Sequence, residues 1–318
     1  MRVHTEIKPD PSFQNGVVTI GTFDGVHLGH RQIIERLKKE AAETNRQTVI
    51  ITFHPHPRKI VGSGTLQVPL ITTTDEKIRL LQNLEIDHMV VVPFTETFAN
   101  QTAEQYVEDF LIRQFQPHTL IIGYDHRFGK GRKGDFHLLE DYSAELGFKL
   151  LEIPQHLLNE ISISSTRIRE ALINGHVSEA NALLGYRFFF EGVVVEGNKL
   201  GRTLGFPTAN LEITDPEKLV PGNGVYAVTA EELPLAPGRP VLRGMMNIGV
   251  RPTIGGTKRV IEVHLFDFAA DIYGKKLQVE VREFIRGEQK FTGLEALKDQ
   301  LLRDKTHASS ILSGTNSV

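Results

Sequence analysis

Two histidines stand three residues apart in GTFDGVHLGHRQII, a stretch that begins at Gly21. They lie where an apolar run gives way to helical spacing, so His27 and His30 would share one face of the first helical turn. Helix N-termini present unpaired N–H groups and a positive dipole end, and Asp24-Gly25 supplies a tight turn before them. We therefore predict a phosphate site, with both imidazoles donating hydrogen bonds as charge gathers on phosphorus.

The residues alone leave two other interpretations of this pair open. An isolated H-x-x-H pair is more often a surface turn with two solvated imidazoles. The pair could also bind a metal ion together with His54 and His56 of FHPHP, which follow the next apolar run. The setting of strand, glycine turn and helix start favours phosphate.

Hydroxyl and guanidinium groups open a second predicted helix in ISISSTRIREAL. Ser164, Ser165 and Thr166 come first, and Arg167 and Arg169 follow them. Hydroxyls and backbone N–H groups at a helix start bind phosphate, and a guanidinium grips it bidentately. Ser and Thr are also ordinary helix caps. Taken together with the histidine motif, this segment favours nucleotide binding over a simple helix cap.

A glycine-rich segment, EGNKLGRTLGFPTANLEI, begins at Glu196. It resembles a P-loop but is one residue short and has Arg202 where a P-loop requires lysine. Thr208 and Asn210 stand at i and i+2, and their side-chain oxygens suit a Mg²⁺ ion that ATP phosphates also hold. A turn rich in Gly, Pro and Asn is the alternative.

A glutamate in RVIEVHLFDF is the candidate partner of that segment. Ile261, Val263 and Leu265 share one face of a predicted strand, which leaves Glu262 and His264 on the other face. A carboxylate there could accept a hydroxyl proton as general base in phosphoryl transfer. The usual alternative for a strand glutamate is exposure to solvent.

Strands and helices alternate in the part of the chain that must position the histidines. Apolar runs at Val17–Gly21 and Thr48–Phe53, and others in HMVVVPF, HTLIIG and KLLEI, are separated by helical stretches such as Leu28–Thr44. This alternation predicts a Rossmann-like α/β domain with a parallel sheet. Because each chemically interesting loop follows a strand, we expect those loops to share one edge of the sheet.

Beyond Arg187 the period changes to two, as in LQVEVREFI and GVYAVTAEEL. Period two with Gly- and Pro-rich turns predicts an antiparallel β-barrel or sandwich. A C-terminal helix is predicted from about Gly293 to Lys305, followed by a disordered Ser/Thr/Gly-rich tail. We place the domains at residues 1–185 and 186–318.

Composition narrows the class of protein. The 318 residues are 40% hydrophobic and 24% charged, with a net charge of −3 and no cysteine. Disulfides, thiolate nucleophiles and cysteine-ligated zinc are excluded, and no basic field for nucleic acid is present. The N-terminal stretch lacks the apolar core of a signal peptide. We expect a cytoplasmic enzyme or binding protein, without a nucleic-acid or membrane partner; the sequence sets no oligomeric state.

The two motifs of the first half resemble those of a known family. GTFDGVHLGH resembles the G-x-F-D-x-x-H-x-G-H form of the nucleotidyltransferase HxGH motif, and ISSTRIR is similar to its I-S-S-T-x-x-R. Together they look like the adenylyltransferase module of bacterial bifunctional riboflavin kinase/FMN adenylyltransferases, the FAD synthetase family. The resemblance implies that the FMN phosphate attacks the α-phosphorus of ATP and releases pyrophosphate.

The same resemblance implies roles for individual residues. His27 and His30 would stabilise the transferring phosphate, and FHPHPRKIV matches a family segment near the flavin. The departing phosphate would be held by Ser164, Ser165, Thr166 and Arg169. Further nucleotide-binding positions are Gly21, Phe23, Asp24, Gly25 and Asp125. In GYDHRFGKGRKGD, His126 replaces the phenylalanine that is usual in the family.

The second half resembles the riboflavin kinase of the same family, with GxxxGRxLGFPTAN, GVYA, NIGVRPTIGG, IEVHLFDF…DIYGK and FIRGEQKF in order. This implies Thr208 as a Mg²⁺ ligand, Asn210 near metal and substrate, and Glu262 as base for the riboflavin 5′-hydroxyl. Gly197–Arg202 would form an ATP flap and Gly249–Gly255 a mobile loop. The implied ATP-binding positions are Gly197, Lys199, Gly201, Arg202, Pro207 and Thr208.

The expected protein is thus a bifunctional enzyme that uses ATP and Mg²⁺ to phosphorylate riboflavin to FMN and then adenylylates FMN to FAD. Its partners are these small molecules. Two rivals remain: an enzyme with only one active module, and a non-catalytic flavin- or nucleotide-binding regulator in which Glu262 is dispensable.

Overall fold

Six parallel strands form a sheet in the N-terminal half, in the order β1-β4-β3-β2-β5-β6. The computed structural model describes residues 1–6, 10–61, 68–153, 163–197, 200–253 and 256–314. Contacts divide the chain into two units, Met1–Ser165 and Thr166–Val318. The strands of the sheet are β1 (Arg2–His4), β2 (Val17–Ile20), β3 (Thr48–His54), β4 (His88–Pro93), β5 (Thr119–Gly123) and β6 (Lys149–Ile153).

The central strands are mostly apolar and buried because both faces of the sheet are covered. Alternate residues of one strand enter different cores: Val18 packs in one cluster of buried side chains, and Val17 packs in another. The helices of this unit are α1 (Leu28–Thr44), α2 (Pro57–Val61), α3 (Thr74–Gln82), α4 (Glu96–Ala99), α5 (residues 103–115) and α6 (Phe136–Leu146). The predicted parallel α/β sheet is confirmed.

Helix α1 has the bounds that its periodicity predicts. Ile34, Leu37 and Ala41 are buried at helical spacing, and Asn45 ends the helix in the left-handed conformation. Helix α5 is irregular, since its central part, Tyr106–Ile112, is a π-helix.

The order of strands changes direction at β2, which has β3 on one side and β5 on the other. Open α/β sheets bind their ligands at such a switch point, beyond the carboxyl ends of the strands. The loop after β2 carries His27, and the loop after β5 carries Asp125 and His126. The sheet therefore brings these predicted loops to one edge, as expected.

A closed antiparallel barrel forms the second unit, in the order β10-β11-β8-β7-β12-β9. Its strands are β7 (Phe189–Val195), β8 (Ala209–Glu212), β9 (Gly224–Glu232), β10 (Leu242–Thr253), β11 (Gly256–Leu265) and β12 (Lys276–Arg286). Its helices are α7 (Ser165–Ile173), α8 (Val177–Leu184), α9 (Leu200–Thr203) and α10 (Leu294–Ser313). The barrel prediction is confirmed. The domain boundary after residue 185 stays a prediction.

The prediction of a disordered tail after Lys305 is wrong for residues 306–313, which complete α10. Ala308 and Leu312 of this stretch are buried in a cluster with Phe206 and Met245 of the barrel. Burial of these apolar side chains stabilises a helical turn that its Ser and Thr content disfavours.

The expected loop at Gly249–Gly255 is largely a strand. Residues 249–253 continue β10 and pair with β11 in the register Gly249↔Val260 and Arg251↔Lys258. Residues 254 and 255 lie outside the described part of the chain. Among the helices in the described ranges, none is long and apolar enough to span a membrane.

Candidate active sites

The turn between β2 and α1 has an unusual backbone. Phe23, Gly25 and Val26 all have positive φ angles, of 46°, 85° and 38°. Non-glycine residues adopt this region rarely, so the surrounding structure must hold the turn in place. Phe23 contributes by burying its ring, which lies with its centroid 5.0 Å from that of His30.

Asp24 anchors this turn to the segment that precedes α3. Its buried carboxylate accepts hydrogen bonds from the backbone N–H groups of Ile71 at 3.2 Å and Thr72 at 3.0 Å. The N–H of Gly25 in turn donates to the Thr72 hydroxyl at 3.0 Å. The Asp24 side chain thus shapes the turn, and its predicted contact with a nucleotide stays a prediction.

His27 caps helix α1, since its Nδ1 accepts the backbone N–H of His30 at 3.3 Å. An imidazole nitrogen accepts only when it carries no proton, so the proton of the neutral ring must lie on Nε2. The side chain is only 6% exposed. The cap therefore fixes a tautomer that offers one N–H donor.

The ring of His30 stacks on that of His27, with a centroid separation of 3.6 Å and an interplanar angle of 14°. Burial, together with the positive charge that His27 and Lys77 can carry, holds the pKa of His30 well below its usual value. Both histidines are thus held in a packed pair, which contradicts the alternative of a solvated surface turn.

Lys77 is a buried cation beside this pair that the sequence reading missed. Its Nζ donates to the carbonyl of Thr22 at 2.6 Å and to the Thr52 hydroxyl at 3.2 Å. Burial lowers the pKa of Lys77 to about 8, against the opposing effect of the Asp24 carboxylate. No sequence signal marked it, because a lysine on an amphipathic helix is ordinarily exposed.

The two motifs predicted to bind one nucleotide meet in this unit. The Ser165 hydroxyl donates to the Asp24 carbonyl at 3.1 Å, across a separation of 141 residues. Ser164 and Thr166 beside it are exposed. Arg169 is buried on α7 in the second unit.

The loop after β5 places Asp125 and His126 in different environments. Asp125 is exposed. The His126 ring lies 5.7 Å from Phe128, which stacks on Tyr106 at 4.8 Å. Burial lowers the pKa of His126 to about 4. His126, which replaces the phenylalanine usual in the family, thus still has an aromatic neighbour, Phe128.

The metal interpretation of the four histidines finds no support in the described ranges, where no group of three or more His, Asp or Glu side chains is placed to hold an ion. His54 instead lies 3.4 Å from the Thr74 hydroxyl through its Nδ1, and His56 accepts the backbone N–H of Arg58.

A cavity of about 440 Å³ lies at the barrel end where β8 begins. Arg202, Pro207 and Thr208 line it together with Asp271 and Tyr273 of the β11–β12 connection. Three residues predicted from the glycine-rich segment thus share one cavity. The sequence indicates the β11–β12 connection only as part of the family motif IEVHLFDF…DIYGK.

The glycine-rich segment allows close approach of the chain to itself. A side chain at Gly197 would overlap the amide of Asn210, and one at Gly201 would overlap the carbonyl of Phe206. Helix α9 (Leu200–Thr203) overlaps the end of the predicted ATP flap, Gly197–Arg202. Lys199 lies outside the described residues.

Asn210 and Glu262 are direct partners across strands β8 and β11. Asn247 of β10 is the partner of Glu262 on the other side. The Glu262 side chain is 20% exposed and forms an ion pair with Arg251 at 2.9 Å, so it is not a freely solvated strand residue. Neither Asn210 nor Glu262 lines the 440 Å³ cavity. The sequence reading missed Asn247 and Arg251, since pairing partners have no local signal.

His264 holds the segment that leads into β8. Its Nδ1 donates to the carbonyl of Pro207 at 2.8 Å, and burial lowers its pKa. The ring is buried beside Phe206 and Phe266.

Comparison with known proteins assigns the two halves of the chain to two family models. The family model described as FAD synthetase matches residues 10–167, and the one described as riboflavin kinase matches residues 184–312. The bifunctional riboflavin kinase/FMN adenylyltransferase of Escherichia coli K12 is 40% identical over 292 residues, 92% of this chain and 91% of that protein. The chain belongs to this family.

Other members and a solved structure extend the likeness along the chain. The bifunctional riboflavin kinase/FMN adenylyltransferase of Bacillus subtilis is 38% identical over 92% of this chain and 91% of its own. A crystal structure described as a macrolide-efflux protein from Streptococcus pneumoniae matches with a TM-score of 0.85 at 30% identity, covering 96% of this chain and 98% of that one.

Proposed function

We propose that this chain catalyses both reactions named for its bifunctional relatives, phosphorylation of riboflavin and adenylylation of the resulting FMN. One observation carries the proposal: in each unit, motif residues far apart in the sequence are brought together. Asp24 is hydrogen-bonded to Ser165, and Asn210 stands opposite Glu262. The protein's place in a cytoplasmic flavin pathway is part of the same proposal.

In the kinase step, the Glu262 carboxylate accepts the proton of the riboflavin 5′-hydroxyl as its oxygen attacks the γ-phosphorus of ATP, and ADP leaves. The cavity lined by Arg202, Thr208 and Tyr273 is a place for the nucleotide, since it offers a guanidinium, a hydroxyl and an aromatic ring. Arg202 would neutralise phosphate charge there. The Glu262 carboxylate and the Asn210 amide would orient the riboflavin 5′-hydroxyl towards the γ-phosphorus of ATP.

Mg²⁺ fits the donors available at this site. Thr208 offers a hydroxyl in the cavity wall and Asn210 a side-chain amide two residues later, both oxygen donors of the kind that hard cations prefer. When bound, the ion would neutralise charge on the ATP phosphates. Thr208 and Asn210 are the residues that we propose to hold it.

In the adenylylation step, an FMN phosphate oxygen attacks the α-phosphorus of ATP and pyrophosphate leaves. His27 and His30 would donate hydrogen bonds to the oxygens of this phosphorus, where negative charge develops. The capping bond of His27 leaves its Nε2–H as the donor, and the low pKa of His30 favours the neutral ring of that residue in the ligand-free protein. Ser164 and Ser165 would bind the departing phosphates.

The test is a time course with riboflavin, ATP and Mg²⁺, with the flavins separated by chromatography. FMN should appear before FAD. Glu262→Gln should lower FMN formation to a small residual rate while the variant still converts supplied FMN to FAD, and His30→Ala should do the reverse. Each variant's retained reaction reports that the chain is folded.

Other results separate the rivals. Flavin binding without turnover in the wild-type protein would make it a regulator. Formation of one product only, under conditions in which the protein is folded, would leave one active module. A His30→Ala variant that loses FMN formation as strongly as FAD formation would contradict the assignment of steps to units.

A further inference from the structure

The carboxylate of Glu262 has one side-chain partner in the described part of the chain. Arg251 donates from Nη2 to Glu262 Oε1 at 2.9 Å, and this ion pair engages a single carboxylate oxygen. Oε2 makes no hydrogen bond to any described residue and is therefore available to a ligand.

The backbone of Glu262 is held on both sides, but its side chain is not. Asn210 on β8 and Asn247 on β10 pair with it in register. Neither amide forms a hydrogen bond with the carboxylate. A glutamate has three side-chain torsions, so ordering one carboxylate position costs conformational entropy that a partner must offset. Arg251 is the residue placed to do so.

The strand geometry explains how Arg251 reaches this carboxylate. Asn247, Gly249 and Arg251 are two residues apart along β10 and so share the face on which Glu262 lies. Gly249, between the other two, has no side chain, and a Cβ there would overlap the carboxylate of Glu288. Arg251 thus reaches back along the strand to Glu262, while the Glu288 carboxylate occupies the place that a side chain at Gly249 would take.

We propose that Arg251 is a positioning residue for the kinase step, which orients Glu262 by binding Oε1 and leaves Oε2 to accept the proton of the substrate hydroxyl. The inference rests on the proposed role of Glu262 as base. A planar guanidinium fixes the plane of the carboxylate that it binds, which an ammonium group does not.

The experiment measures FMN formation by the full chain carrying Arg251→Gln or Arg251→Lys. Misplacing a reacting group by about 1 Å costs roughly a hundredfold in rate. We therefore expect Arg251→Gln to lower kcat between about tenfold and a hundredfold, with KM for riboflavin and ATP changed less than about threefold. Arg251→Lys should restore part of kcat. Conversion of supplied FMN to FAD should be unchanged in both variants.

Arg239→Gln is the matched control. Arg239 is 39% exposed, against 40% for Arg251, and it is also paired with a barrel glutamate, Glu232. Its loss should leave kcat for FMN formation unchanged. An equal fall in kcat for Arg239→Gln and Arg251→Gln would overturn the proposal, as would a rise in KM with kcat unchanged.

A double-variant cycle decides whether Arg251 acts through Glu262. In a Glu262→Gln background, Arg251→Gln should lower the residual rate no further. A further fall as large as in the wild-type background would show that Arg251 acts on the substrate directly and would overturn the inference. If Glu262→Gln alone left kcat intact, the proposed function of Glu262 would fail. If Glu262→Gln abolished the rate but Arg251→Gln did not lower it, only this inference would fail.

Discussion

Asn210 and Glu262 face each other across two antiparallel strands, β8 and β11, which adjoin in the closed barrel. Directly opposed residues project to the same face of the sheet with their Cβ atoms about 5 Å apart. An amide and a carboxylate that the sequence holds in separate motifs thus form one polar pair. The position of the Asn210 amide depends on the space left by Gly197, and that of the Glu262 carboxylate on its ion pair with Arg251.

Replacing Gly197 by alanine should impair this pair without removing any functional group. A Cβ at Gly197 would overlap the Asn210 amide, so the amide must move. We expect FMN formation by Gly197→Ala to fall at least tenfold, because displaced catalytic groups lose their alignment. Chromatographic assay of FMN, with FAD formation from supplied FMN as internal reference, measures this. Gly293→Ala is the control, since a Cβ there meets nothing within 4 Å. Equal rates in the two variants would refute the argument.

His27 combines a capping role with a proposed catalytic role, and two small replacements separate them. Serine is a favourable helix cap and alanine is not, so His27→Ser should be more stable than His27→Ala by about 1 kcal/mol. Neither has an N–H donor at the former Nε2 position, so both should slow FAD formation by about a hundredfold or more. Urea unfolding and FAD assays test the two parts. Recovery of FAD formation in His27→Ser would show that capping is the only role.

The half-buried imidazole of His126, whose pKa is lowered, predicts a pH dependence of stability. Its pKa is about 4 in the folded protein, below the unfolded value of 6.5, so the unfolded state binds more protons between these pH values. Its contribution to stability is complete above pH 6.5 and is lost as pH falls towards 4.

A phenylalanine at this position does not titrate and keeps the aromatic contact with Phe128. The stability of His126→Phe relative to wild type should therefore increase as pH is lowered from 7.5 to 5. Urea midpoints of both proteins at these two pH values measure the change. A difference between the two midpoints that is the same at both pH values would contradict the burial argument.

The C-terminal helix is held to the barrel by a buried ion pair. Arg286 donates from Nε and Nη2 to Asp304, whose side chain is 2% exposed, at distances of 2.7 to 3.1 Å. Asp304→Asn would leave a largely buried guanidinium without its counter-charge, and we expect a loss of about 3 kcal/mol in unfolding free energy. Arg303→Gln, on the exposed side of the same helix, should change it by less than about 0.5 kcal/mol. Denaturant unfolding of the full chain measures the unfolding free energies of both variants. An effect of Asp304→Asn as small as that of Arg303→Gln would contradict a stabilising role for the buried ion pair.

Local pattern sufficed for most of the secondary structure and for the family. The period of apolar residues predicted α1 with its observed bounds, the parallel sheet and the barrel, because helix and strand periodicity depends on near neighbours. The motifs around His27 and Thr208 identified both modules, since phosphate chemistry demands particular residues at short spacings. The family prediction is confirmed by the comparisons.

Relationships between distant parts of the chain were decided only by the tertiary structure. The hydrogen bond from Ser165 to Asp24, the register of Asn210 with Glu262 and the ion pair of Arg251 each join segments far apart in sequence. The burial of His27 and the helical state of residues 306–313 likewise depend on side chains packed from elsewhere. Sequence spacing carries no measure of such contacts, because register and burial are fixed when separate elements pack together and exclude water.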